Sequence, residues 1–175
     1  NTMPLPPEVF VEIATFVRGG FEDRDSIVQA FLEDLYEPGE LDETVVTRAI
    51  DEAIRKHEEQ KQHWPAVTDC DRLDAVFDAL NRQGIIALHN AGYTPSDSHV
   101  DVAQAHAEHP APSSVMGYCF YHGQDLERVL RGDGLLLSFG PMPPRTEAAE
   151  GPRVGARVAA ELQRAGFAVE WDGTF

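Results

Sequence analysis

The chain has 175 residues, of which 42% are hydrophobic and 25% charged, enough apolar content for one sizeable core. Thirty acidic against fourteen basic residues give a formal net charge of -16, which disfavours direct binding to nucleic acid or to an anionic membrane surface. No run reaches the roughly 18 apolar residues of a membrane span, and the opening "NTMPLPPEVF" lacks the basic start and apolar stretch of a signal peptide, so the expected location is the cytoplasm.

Residues 1–64 read as helices. Pro6 and Pro7 open a first helix with Val9, Phe10, Ile13, Phe16 and Val17 on one stripe, and Gly19 and Gly20 close it. A second helix starts near Asp23, carries Ile27, Phe31 and Leu35, and stops at "EPG". The third repeats Leu41, Val45, Val46, Ala49, Ile50, Ala53 and Ile54 at helical spacing.

After Trp64 and Pro65 the grammar changes. "TDCDRLDAVFDAL" supplies Thr68 or Asp69 as a cap and then an apolar helical face, and Gly84 turns the chain into the strand "IIALH". Alternating elements follow: strands at 85–89, 115–121, 134–139 and 167–171, helices near 97–108 and 152–165, and a short helix at 124–131. Leaving the short helix aside, the order is the βαββαβ of ferredoxin-like folds, with an antiparallel sheet whose third strand lies between the first and second. The expected class is therefore α+β, a helical lobe at 1–64 packed on a ferredoxin-like region at 65–175 as one cooperative unit. Both faces of the inner strands are apolar, so the N-terminal helices, or a second copy of the chain in a homodimer, must cover the face that ferredoxin-like helices leave bare.

Chemistry-bearing residues are dispersed. Cys70 and Cys119 form no CxxC pair and read as free, partly buried thiols. His99, His106 and His109 share one side of a helix, but without HExxH or paired Cys and His they read as a solvated face, and no metal or cofactor is expected. No GxSxG or phosphate loop occurs, so no catalytic residue is named. In "GYCFYHGQDL", Cys119 and His122 point to opposite faces of a strand, and His122 with Gly123 begins a helix. A candidate binding rim nevertheless gathers where the first two strands end, about 10 Å apart across two strand spacings. It consists of His89, Asn90 and Tyr93 after the first strand with Tyr121 and His122 after the second.

"TDCDRLDAVFDALNRQGIIALHNAGYT", "CFYHGQDLERVL", "GLLLSFG" and "VEWDGTF" resemble a bacterial family catalogued as a domain of unknown function, over most of residues 64–175. The ending "GFAVEWDGTF" is also similar to regulator of ribonuclease E activity B, which implies a ferredoxin-like module acting by protein contact. The expected function is a non-enzymatic protein-binding or regulatory module. The alternative is a small hydrolase or metal-dependent enzyme with its site near His89 and His122.

Overall fold

Proline and aspartate set the N-terminal helix boundaries in the computed structural model, which describes residues 4–144 and 147–175. The chain divides into two compact units, Asn1–Pro65 and Ala66–Phe175. In the first, helix α1 spans Pro7–Gly19 with Pro at its first position, and Gly20 ends it in the left-handed region at φ 73°. Helix α2, Arg24–Gln29, is capped by the Asp23 carboxylate accepting from the Ser26 N–H, and continues as a π-helical turn over Ala30–Asp34. Helix α3, Glu43–Lys61, is capped likewise by Asp42. Val9, Ile13, Ile27, Phe31, Val46 and Ile50 are fully buried in one core, each burial stabilising by about 1.5–3 kcal/mol before chain entropy is charged against it.

The second unit opens with α4, Asp69–Arg82, where Thr68 and Asp71 exchange the two hydrogen bonds of a capping box. Strand β1, Ile85–Leu88, leads to α5, Pro95–Glu108. Strand β2, Gly117–Phe120, leads to α6, Gly123–Leu130. Strand β3, Ser138–Pro141, precedes α7, Glu147–Arg164. Pro152 lies inside α7, which therefore starts earlier than the proline suggested.

The sheet differs from the ferredoxin-like expectation. Among the described residues it has three strands in the order β1-β2-β3 and is mixed rather than antiparallel. β1 pairs directly with β2 in parallel, Ile85 beside Gly117 and Leu88 beside Phe120, and β3 pairs antiparallel on the other side of β2. Alternating sequence fits both arrangements, because a crossover helix returns the chain to the adjacent position as readily as to the next one. β2, not the third strand, is central.

Residues 167–171 keep the alternation expected of a strand, Phe167, Val169 and Trp171 inward and Ala168 and Glu170 exposed, yet join no ladder. Residues 135–137 alternate in the same way just before β3, again unpaired. Leu135, Leu137, Phe167 and Val169 of these segments pack on the core that α4 and α7 build over one sheet face, with Phe77, Leu80, Ile85, Cys119 and Val154 at its centre. The other face is covered within the same unit by α5, whose Val102 packs with Ala91, Phe120, Leu88 and Tyr118. That cover removes the reason for requiring residues 1–64 or a second copy there.

The outer edge of β1 is closed by one side chain. The Asn81 amide donates to the carbonyls of Phe77 (3.0 Å) and Ala87 (3.2 Å), and its oxygen accepts from the Ala87 N–H at 3.0 Å. Asn81 thus stands in for a neighbouring strand.

Candidate functional site

Because the ladder's last parallel pair is Leu88 and Phe120, His89 and Tyr121 come next, side by side on one face. The ends are thus adjacent, one strand spacing apart rather than two. His89 Nδ1 lies 2.9 Å from the Tyr121 hydroxyl, and its Nε2 lies 2.7 Å from Asp74 Oδ1, supplied by α4. Phe77 stacks on the imidazole at 4.3 Å between centroids. Burial first, then the negative groups at Cys70 and Asp74, push the Tyr121 phenol up to about 12. The Asp74 carboxylate can only accept, so Nε2–H donates to it, while Nδ1 and the protonated phenol share the second hydrogen bond. Neither ring nitrogen is left for a substrate or an ion, so the triad acts as a strut from α4 to both strands.

The other rim residues serve the turn. Asn90 holds φ at 45°, a conformation asparagine tolerates, and Ala91 N–H donates to the Tyr121 carbonyl at 2.8 Å. The Asn90 side-chain oxygen is buried without a partner, beside a shallow recess of about 270 Å³ that Leu88, Asp101 and Ala105 also line. The Tyr93 hydroxyl donates to Glu127 at 3.0 Å, and its ring lies over Gly123, where a Cβ would come within 2.6 Å. His122 caps α6: its Nδ1 accepts from the Asp125 N–H at 3.3 Å while the Asp125 carboxylate accepts from the His122 N–H at 3.2 Å. One residue beyond Tyr121, it turns to the opposite face, so His89 and His122 form no pair. Among the described residues no group of three or more His, Cys, Asp or Glu side chains could hold a metal ion.

Sequence reasoning missed Asp74, which sits fifteen positions before His89 on a different element and carries no local motif. It also missed an apolar groove in this unit. A groove of about 290 Å³ lies between the two unpaired extended segments, floored by Leu73 of α4 and Val158 and Leu162 of α7, and walled by Leu136, Phe167 and Trp171. Glu170 is the only charged side chain among the described lining residues. Phe139 meets Trp171 and Phe175 edge-on, each at 5.8 Å, and closes one end. Gly155 allows this: a Cβ there would stand 2.7 Å from the Trp171 ring and 2.8 Å from Phe139. Arg72 lies 5.4 Å over the Phe167 ring. Among the described residues, the backbones of Leu135–Leu137 and Ala168–Glu170 make no backbone hydrogen bond to the rest of the chain. The signal available in sequence was the leucine run itself, three apolar residues where a paired edge strand would carry a polar face.

A family model described as Domain of unknown function (DUF6891) matches residues 6–175. The match takes in the N-terminal helices as well as residues 64–175. No curated protein and no solved structure matches the chain.

Proposed function

We propose that this chain, which belongs to the DUF6891 family, is a protein-binding module that receives one extended segment of a partner in the groove between residues 135–137 and 168–170. The observation that carries the reading is the pair of extended, alternating segments whose backbone N–H and C=O groups lack backbone partners on both sides of one apolar slot. A partner strand supplies those groups with hydrogen bonds while its alternate side chains enter the slot, the mode known as β-augmentation. Edge strands left open in this way are usually blunted by charge or covered. Asn81 does so at β1, and among the described residues no side chain hydrogen-bonds the backbone of Leu136, which is 51% exposed.

Charge selects the occupant. With Glu170 as the only charged side chain among the described lining residues and -16 on the whole chain, the segment that fits is apolar at alternate positions and flanked by lysine or arginine.

Selection of random peptides displayed on phage against the full chain tests this, with Leu136→Asp as the counter-target. Leu136 is half exposed, so the substitution should leave the fold intact. The proposal expects basic-flanked alternating peptides that lose at least tenfold in affinity for Leu136→Asp. Peptides lacking that pattern, or binding both proteins equally, would overturn it.

A further inference from the structure

The first unit holds a second groove, of about 310 Å³, between α1 and α3. Its floor is Ile13, Ala14, Val17, Ala49 and Ala53, its outer wall is Phe10 at 50% exposure, and its rim carries Arg18, Lys56 and His57 together with Gln60 and one carboxylate, Glu52. The size is at the lower end of pockets that hold small organic ligands, about 300–1,000 Å³.

Three nitrogen-bearing groups at one mouth are unexpected here, because residues 1–64 carry 15 acidic against 6 basic side chains, a net of -9. Four of the six bases, Arg24, Arg55, Lys56 and Lys61, lie within ion-pair distance of a carboxylate. Arg18 and Arg48 have no such partner among the described residues, and of these only Arg18 borders the apolar floor. The Lys56 pairing is weak: Glu52 lies 3.7 Å away and is already held by Arg55 through two hydrogen bonds.

His57 adds an independent observation. Its Nδ1 is buried with no hydrogen-bond partner, and Trp64 packs edge-on against the ring at 5.5 Å. A buried N–H without an acceptor costs about 1–3 kcal/mol, so the neutral ring carries its proton on Nε2. Burial first, then the Lys61 and Arg18 charges against the opposing pull of Glu58, hold His57 below the ordinary histidine range. At neutral pH the mouth therefore presents an uncharged N–H donor beside two cations.

We infer that this groove binds a small amphipathic anion, by class a medium-chain carboxylate, whose apolar body lies along the α1–α3 floor and whose carboxylate meets Arg18, with Lys56 and the His57 Nε2–H beside it. An apolar floor alone would accept a neutral chain equally well. The unpaired guanidinium is what makes the head group matter, since a planar guanidinium suits a carboxylate's two oxygens.

The test uses the full chain with Trp171→Phe, which leaves Trp64 as the sole tryptophan and a reporter beside His57. Octanoate and octanol are titrated by calorimetry and Trp64 fluorescence, and the His57 imidazole is followed by NMR. The inference expects octanoate to bind at least tenfold tighter than octanol, Arg18→Gln to remove that preference, and bound octanoate to raise the His57 titration midpoint. Equal binding of the two probes would make the groove a generic apolar surface and overturn the anion site. So would a preference that survives Arg18→Gln, or no saturable binding of octanoate.

Discussion

Replacing Asn81 by leucine removes the side chain that closes the outer edge of β1. Three hydrogen bonds vanish, two of them to the N–H and C=O of Ala87, a residue only 6% exposed. The Phe77 carbonyl keeps its helical partner, so the loss falls on Ala87. Leaving a buried donor or acceptor unpaired costs about 1–3 kcal/mol each, and leucine adds apolar contact that returns part of it. A net loss of about 3 kcal/mol follows, which at about 2–4 °C per kcal/mol for a chain of this size lowers Tm by about 6–12 °C. Thermal unfolding followed by circular dichroism measures it. The control is Gln83→Ala, which removes one half-exposed hydrogen bond to Glu161 and should cost no more than about 1 kcal/mol. A fall in Tm below about 2 °C for Asn81→Leu would refute the reasoning, because it would mean that water or a shifted backbone replaces the amide at no cost.

Burial holds Tyr121 and, with the Glu12 hydrogen bond, Tyr36 up to about 12 from an ordinary 10. Their contribution to stability is therefore complete below pH 10 and lost as pH rises toward 12; phenolate absorbance and unfolding should appear together in that window, and phenolate forming at pH 10 in the folded chain would contradict this. Gly155→Val drives side-chain atoms into the Trp171 and Phe139 rings and should cost about 1–3 kcal/mol with a changed near-ultraviolet tryptophan signal; an unchanged signal would show that the groove floor is looser than described. Iodoacetamide should label exposed Cys70 in the native protein and reach Cys119, which is fully buried with its thiol pushed up to about 12, only after unfolding, as read by mass spectrometry.

Local signals in the sequence located the local structure. The proline start of α1, the repeating face of α3 and the Thr68 cap of α4 are each specified by neighbours a few residues apart, and each lies close to where the sequence puts it. What failed was pairing. Alternation in "FAVEW" reports which side chains face the core but says nothing about whether the backbone has a partner, and "LLLSF", apolar on both faces and so expected to be covered on both, leaves Leu136 half exposed. Strand order escaped for the same reason. At the rim, the approach of the first two strand ends was legible, while the pair that meets is His89 with Tyr121, not with His122. A capping imidazole and a strand-end imidazole look alike in sequence, and what separates them is the Asp125 N–H for one and Asp74 for the other. The one sign of the groove, the leucine run at 135–137, read as a strand with both faces covered, because by composition the groove lining matches core.

Amide hydrogen exchange of the free and peptide-bound chain tests the central claim most directly. In the free protein the amides of Leu135, Leu136, Leu137, Ala168, Val169 and Glu170 should exchange rapidly while those of Cys119 and Phe120 in β2 stay protected, and a selected basic-flanked peptide should slow the first group by at least tenfold. Strong protection of both segments before any peptide is added would mean that they already pair with each other, and the slot proposed for a partner strand would not exist.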